Sequence, residues 1–222
     1  MAVNTEIYKR IKNELATKNA ILVAVSKTKP AEDIQALYDL DQRDFGENYV
    51  QELVDKQAQL PKDIRWHFIG HLQSNKVKQI APFVHLIHGV DSLKLLKEIN
   101  KQAAKANRVI SCLLQVHIAQ EETKFGFDEE DLLTLDIREL ETLQNVKVIG
   151  LMGMASFTED MVKVRNEFRF LKVLLDKLSL QRNLQLSTLS IGMSSDYMIA
   201  IEEGSTMVRI GSLLFGTREY AK

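Results

Sequence analysis

The sequence predicts an α/β fold, a single (β/α)8 barrel spanning residues 1–222. Three observations point there. Short apolar runs rich in β-branched residues alternate with helical segments along the whole chain, and such alternation implies parallel strands joined by right-handed crossovers. About eight such runs can be counted, each but the last followed by a helical segment. No composition break, Ser/Gly linker or low-complexity segment marks a second domain. Eight units in 222 residues suit a compact barrel of the TIM type. An open doubly wound sheet would show the same alternation and is the structural alternative.

The elements follow in order. Ile7, Ile11 and Leu15 are spaced four apart, which predicts an amphipathic helix at the amino terminus. Ile21–Val25 is a short apolar run and reads as the first buried strand. Pro30 then opens a helix carrying Ile34, Leu37 and Tyr38. A second strand is expected near Arg43–Glu47, with a helix through residues 49–54. A third is Trp66–Ile69, closed by Gly70, with a short helix near Ser74–Ile80. The fourth is His85–Val90, after which Asp91 or Ser92 can cap a helix over Leu93–Ala106. The fifth is Val109–Ile118, followed by a helix near Glu129–Leu143. The sixth is Val146–Met152, with a long helix over Glu159–Leu180. The seventh is Leu186–Ile191, with a helix near Ser195–Glu203 closed by Gly204. The eighth is Met207–Ile210, and only LLFGTREYAK follows the next two residues, so a last helix is missing and the amino-terminal one is expected to cover the gap.

Composition excludes several functions. Lys and Arg number 29 against 30 Asp and Glu, so there is no electrostatic footprint for nucleic acid or an anionic membrane. The chain is 45% hydrophobic and long enough to bury a core without disulfides or a structural metal. Cys112 is the single cysteine and sits in the apolar run VISCLLQVHI, as a small core residue would. One cysteine forms no internal disulfide, and cysteine-rich metal sites are excluded. The amino terminus has no apolar h-region, and no stretch approaches the roughly 18–20 apolar residues that span a bilayer. A cytoplasmic protein is expected.

In a barrel the chemistry lies at the carboxyl ends of the strands. The first strand ends in Ser26-Lys27-Thr28-Lys29. Lys27 shares parity with Val25, Val23 and Ile21, so it projects into the mouth if that face is the interior. A lysine in a partly apolar mouth is shifted toward the neutral amine, which can form a Schiff base. Lys29 reads better as a solvated loop lysine. Arg209 is a fixed charge inside an otherwise apolar strand and must be paired or serve a site. Strand eight neighbours strand one in a closed barrel, so Arg209 either shares the mouth with Lys27 or pairs with a glutamate such as Glu47. The seventh strand runs into Gly192-Met193-Ser194-Ser195-Asp196 ahead of a helix, and the eighth into Gly211-Ser212. Loops after strands seven and eight form the frequent phosphate site of such barrels. A Schiff-base lysine, an isolated arginine and a phosphate cradle suit pyridoxal 5'-phosphate, which carries an aldehyde, a ring nitrogen and a phosphate. A guanidinium accepts no proton, so it would keep that nitrogen unprotonated and the ring a weaker electron sink.

The stretches AVSKTKP (24–30), FGENYVQE (45–52), WHFIGHLQSNK (66–76) and LSIGMSSDYMIAIEEGSTMVRIGSLLFG (189–216) resemble the pyridoxal phosphate homeostasis protein family, small cofactor-binding proteins similar to the barrel domain of alanine racemase. The match runs over essentially the whole chain in the same order, and the last motif is the specific one. The resemblance implies pyridoxal phosphate held as an internal aldimine on Lys27, with Arg209 at the pyridine nitrogen. It implies that Ser194, Ser195, Gly211 and Ser212 belong to the phosphate site, and that Asn48 and His67 line the pocket. Gly216 and Arg218 keep family positions, whereas His71 and Ser74 fall at variable ones. For His71, His85, His88 and His117 a packing or surface role is expected, and no metal site is.

The resemblance also argues against an enzyme. Alanine racemase takes a tyrosine base from a second domain of its partner subunit, and this chain ends a few residues after its barrel. A racemase needs acid and base on opposite faces of the substrate, and only Lys27 is evident here; Tyr49 and Tyr197 are not placed as the opposing base. No long lid insertion follows any strand, so the mouth is expected to be open. The expected function is a carrier or buffer of pyridoxal phosphate, without catalytic residues, that supplies apo-enzymes. A weak amino-acid racemase is the runner-up, and a cofactor-free Schiff-base aldolase or phosphate-sugar isomerase a third reading. Monomer and dimer both stay open.

Overall fold

Eight parallel strands close into a barrel in sequence order, β1 (Ile21–Val25), β2 (Asp44–Glu47), β3 (Arg65–Phe68), β4 (Leu86–Val90), β5 (Ile110–Gln115), β6 (Val146–Met152), β7 (Thr188–Ser190) and β8 (Met207–Ile210). The computed structural model describes residues 3–118, 125–181 and 184–216. Closure comes from β8 pairing with β1, in a register that sets Val23 beside Arg209. The open doubly wound alternative is therefore excluded.

Strand parity sorts the side chains. Val23, Leu86, Leu113, Met152 and Met207 form one apolar cluster, while their alternate neighbours Leu22, Ala24, Ile87, Cys112, Leu114, Leu151 and Val208 belong to a larger one shared with the helices. The smaller cluster is the barrel interior and the larger is the layer between strands and helices. Cys112 is fully buried, and burial pushes its thiol well above the ordinary range, which makes it inert packing.

The helices are set by local signals. Asn4 caps α1 (Thr5–Ala16) by accepting from the Ile7 N–H, and Tyr8, Ile11 and Leu15 are buried on one face. Pro30 stands at the N-cap of α2 (Ala31–Tyr38) rather than inside it. Then come α3 (Val50–Gln59) and, after a 3-10 turn over Ser74–Lys76, α4 (Val77–Ile80). Ser92 caps α5 (Leu93–Lys105). The helix expected over Glu129–Leu143 is two helices, α6 (Glu129–Thr134) and α7 (Ile137–Glu141). Leu135 is extended between them and Asp136 caps the second by accepting from the Arg138 N–H, so a local cap outcompetes propagation. The long α8 (Met161–Gln181) and the short α9 (Tyr197–Glu202) follow.

A last helix is present after all. The segment Ser212–Phe215 forms α10, too short to carry a hydrophobic period in sequence. The expected cover by the amino-terminal helix also holds, since α1 packs on α10 and on β1 and the Asn4 N–H donates to the Leu214 carbonyl at 2.8 Å. β5 stops at Gln115, three residues short of expectation. β7 keeps only three of six expected residues.

Candidate functional site

A cavity of about 430 Å³ opens at the carboxyl end of the barrel. Lys27, Asn48, Ser194, Ser195, Arg209, Gly211 and Ser212 all line it. Seven of the eight residues singled out in sequence therefore meet in one place. His67 does not: it is 1% exposed and lies inside the barrel, bonded to Asp44 and His88 rather than to the cavity. Arg218 lies outside the described residues. Lys29 lines the cavity too, its Nζ donating to the Phe215 carbonyl at 2.8 Å, so it is no solvated loop lysine. Apolar walls come from Val25, Ile69, Met154, Phe157 and Met193.

The Lys27 segment is held from behind. Lys56 on α3 is buried, and its Nζ donates to the Ser26 carbonyl (2.7 Å), Glu47 Oε1 (2.7 Å) and Glu52 Oε1 (2.6 Å). Ser26 Oγ donates to the same Glu47 oxygen at 2.6 Å, and the Thr28 N–H to Glu52 Oε1 at 2.6 Å. Thr28 sits at φ +65°, in the left-handed region that costs a non-glycine residue about 1–2 kcal/mol. The hydrogen bond to Glu52 fixes that turn. Lys27 thus lies between two anchored neighbours, and its backbone is set before any ligand arrives. Burial pushes Glu47 up to about 7, against the lowering effect of Lys56 and Ser26.

Arg209 is 5% exposed. Its Nη1 donates to Ser190 O and Ser190 Oγ, each at 2.7 Å, and Nη2 to the Gly153 carbonyl at 3.0 Å. The expected alternative of a pair with Glu47 is overturned, because Glu47 is taken by Lys56. Burial lowers Arg209 to about 10, which Asp196 only partly offsets, so the guanidinium stays charged at neutral pH. It is a buried cation held by neutral acceptors, with donors left for a ligand.

The rim after β7 and β8 is small and polar. Asp196 Oδ1 accepts the Met193 N–H at 2.6 Å and shapes the turn that presents Ser194 and Ser195. Gly192 sits at φ +92°, and a Cβ there would meet the Ala200 Cβ at 2.6 Å. Gly211 lies against β1, where a Cβ would sit 3.1 Å from the Val25 carbonyl. Its N–H approaches Ser194 Oγ at 3.4 Å. Asn48 Oδ1 is buried at the cavity wall without a hydrogen-bond partner among the described residues. Such an orphan acceptor costs about 1–3 kcal/mol unless a ligand or water serves it.

Of the other histidines, His71 bonds Asp91 and stacks on Phe125, a surface role as expected. His88 takes the interior one of the two expected roles, fully buried and bonded at both ring nitrogens. Among the described residues no group of metal-ligating side chains forms a site, and no helix is long and apolar enough to cross a membrane.

Residues 5–219 match the model of the alanine racemase N-terminal domain family. A pyridoxal phosphate homeostasis protein of Aquifex aeolicus is 47% identical over 202 residues, covering 90% of this chain and 88% of the relative. The chain belongs to the pyridoxal phosphate homeostasis protein family. A human protein of the same name is 39% identical over 214 residues, 90% of this chain and 78% of its own. PipY of Synechococcus elongatus superposes with a TM-score of 0.90 without PLP (36% identity, 95% of this chain, 99% of PipY) and 0.85 with PLP bound (35% identity, 95% and 100%). Alanine racemase of Streptomyces coelicolor, at 17% identity, shares the fold with a TM-score of 0.71 over 92% of this chain and 56% of its own.

Proposed function

We propose that this protein binds pyridoxal 5'-phosphate in the cavity and acts in its homeostasis inside the cell, as a cytoplasmic single-domain carrier that buffers the cofactor and hands it to apo-enzymes. One observation carries the reading: Lys27, Arg209 and the Ser194, Ser195, Gly211 and Ser212 rim line one cavity. The donor set fits the group. An amine, a buried guanidinium, hydroxyls and a glycine that leaves room beside the Val25 carbonyl match an aldehyde, a ring nitrogen and a phosphate. The unserved Asn48 Oδ1 is a further polar contact awaiting a ligand donor. The naming of relatives as homeostasis proteins, and of a PipY form with PLP bound, supports the same cofactor.

When bound, pyridoxal phosphate supplies a carbonyl that condenses reversibly with an amine. Lys27 offers that amine, on a backbone fixed by Lys56 and Glu52. Arg209 offers only donors, so a ring nitrogen facing it accepts and carries no proton. Ser194, Ser195, Ser212 and the Gly211 backbone would bind the phosphate. Lys29, held by the Phe215 carbonyl, adds positive charge at the same rim. Among the described lining residues the titratable groups are Lys27, Lys29 and Arg209, with no carboxylate or imidazole among them. Tyr197 turns away to Glu14, with its hydroxyl donating to Oε2 at 2.9 Å. That set binds an anion and offers no acid–base pair astride a substrate, which favours holding the cofactor over turning over amino acids.

The test is transfer. Protein loaded with pyridoxal phosphate and freed of excess is mixed with an apo-aminotransferase, and recovered activity is followed alongside loss of the α-proton of L-alanine in heavy water. Recovery without proton exchange is expected. Failure to take up the cofactor overturns the reading, and rapid exchange replaces the carrier with a racemase.

A further inference from the structure

Below the cavity, a file of polar side chains shares the barrel interior with the Val23 cluster. Ser190 Oγ, which accepts from Arg209 Nη1 at 2.7 Å, lies 3.0 Å from His88 Nδ1. His88 Nε2 lies 2.9 Å from His67 Nδ1, and His67 Nε2 is 3.0 Å from Asp44 Oδ1. Asp44 is closed off by Arg65, whose Nε donates to Oδ1 at 2.7 Å and whose side chain is 48% exposed. The file crosses the barrel through β8, β7, β4, β3 and β2, from the cavity floor to the opposite mouth.

With both imidazoles neutral, the two ends dictate every hydrogen between them. A guanidinium can only donate and a carboxylate only accept. Ser190 therefore accepts from Arg209 and gives its O–H to His88 Nδ1. His88 must carry its proton on Nε2 and donate it to His67 Nδ1. His67 in turn carries its proton on Nε2 and donates to Asp44. Every contact then has one donor and one acceptor. Burial, with the Arg209 charge close by, holds His88 well below the ordinary range, so it stays neutral. Burial alone would raise Asp44, yet the hydrogen bonds from Arg65 and His67 outweigh it and hold the carboxyl well below the usual range. Other charged or titratable groups at that end are His85, whose ring is 5.5 Å from that of His67 and which feels Arg108, and Lys12, which feels Asp44, Asp41 and Arg43.

We infer that Asp44, His67, His88 and Ser190 are positioning residues for Arg209, a one-directional hydrogen-bond relay that fixes the guanidinium at the cavity floor and ties it to the carboxylate at the far end of the barrel. The relay rests, for its role toward the ligand, on the assignment of Arg209 to the pyridine nitrogen. It explains why so many polar groups occupy an interior that apolar side chains usually fill. It also accounts for His67, which lies in a family-like motif without reaching the cavity. An extra proton on His67 Nδ1 would reverse the file, with His88 donating from Nδ1 to Ser190. The Ser190 oxygen would then accept from both His88 and Arg209 and its own O–H would need another acceptor, so only the neutral setting pairs every donor of the file with an acceptor inside it.

The experiment uses protein labelled with nitrogen-15 in histidine. Long-range proton–nitrogen spectra of the ligand-free protein are expected to show both His67 and His88 as the Nε2–H tautomer. Affinities for pyridoxal 5'-phosphate and for inorganic phosphate are then compared in wild type, Ser190→Ala, Ser190→Thr and His67→Leu. Ser190→Ala should weaken pyridoxal phosphate binding by about tenfold, the worth of one buried hydrogen bond to a charged group, and leave inorganic phosphate unchanged. Ser190→Thr, which keeps the hydroxyl, should restore it. His67→Leu should release the tautomer of His88 and act in the same direction as Ser190→Ala. An Nδ1–H tautomer on either ring, or wild-type affinity in Ser190→Ala, overturns the relay. Wild-type protein that takes up no pyridoxal phosphate overturns the proposed function instead, and the ligand-free spectra then decide the relay alone.

Discussion

Lys56 and Glu47 form a buried ion pair, Nζ to Oε1 at 2.7 Å, directly behind the segment that carries Lys27. The pair is a scaffold for the cavity, because the same ammonium holds the Ser26 carbonyl and the same carboxylate holds the Ser26 hydroxyl. Removing the cation strands a buried carboxylate, which typically costs about 3–5 kcal/mol. Lys56→Met should therefore lower the urea midpoint substantially at pH 8, where Glu47 is ionised, and weaken cofactor binding. An unchanged midpoint would show that the pair contributes nothing net.

Glu47 gives stability a dependence on pH near neutrality. Its value is raised from 4.5 to about 7 by burial. Between those values the unfolded chain has lost a proton that the native state keeps, so stability falls as pH rises through the window and levels off above it. The total change is on the order of 3 kcal/mol. Asp44 acts in the opposite sense in a separate range: its carboxyl is held low, so its contribution is present above its unfolded value of 3.8 and lost only in strong acid. Denaturant midpoints from pH 5 to 8 should show the decline in wild type and a flatter line in Glu47→Gln. Parallel lines would remove Glu47 as the cause.

Two glycines at the rim meet an added side chain differently, Gly192 with no room for it and Gly211 with a tight contact. Gly192→Ala places a Cβ at φ +92° and 2.6 Å from that of Ala200, so it should destabilise the protein by about 1–3 kcal/mol. Gly211→Val should spare the fold more and the phosphate site less, since its Cβ would crowd the Val25 carbonyl where the ligand would lie. Thermal melts and phosphate binding, measured together, separate the two: a melting loss for Gly192→Ala and an affinity loss for Gly211→Val. Equal behaviour of the two variants would contradict this division.

Much of this was legible in sequence, and what was not has physical reasons. The parity of Ile21, Val23, Val25 and Lys27 placed the lysine at the mouth, because period two survives in a buried strand. Met207 and Arg209 obeyed the same rule. The Glu47 alternative for Arg209 failed because Lys56, a lysine on a helix that looks solvated in sequence, claims that carboxylate. Lys29 reads as solvated in sequence because nothing local announces the Phe215 carbonyl, 186 residues away. α10 escaped notice because four residues show no period. The break at Leu135 escaped because Asp136 reads equally well as a helix surface residue and as a cap. The relay was hidden since each member is ordinary alone; its signal is that Asp44, His67, His88, Ser190 and Arg209 all fall on the inward parity of their strands.

Arg209 tests the electrostatics of the floor. Arg209→Gln keeps some hydrogen bonding but removes the charge and the planar fork, leaving the Gly153 carbonyl and Ser190 partly unserved. Affinity for pyridoxal phosphate should fall by about 10–100-fold, as for loss of a charged hydrogen-bond donor. Equilibrium dialysis measures it, and retention of wild-type affinity would detach Arg209 from the ligand.

The most direct measurement is mass analysis of the loaded protein after borohydride, with Lys27→Ala alongside. The cofactor mass is expected on the peptide that contains Lys27, fixed in wild type and missing from the variant. Fixation on Lys29 or another lysine in the wild type, or none at all, would contradict Lys27 as the anchoring amine.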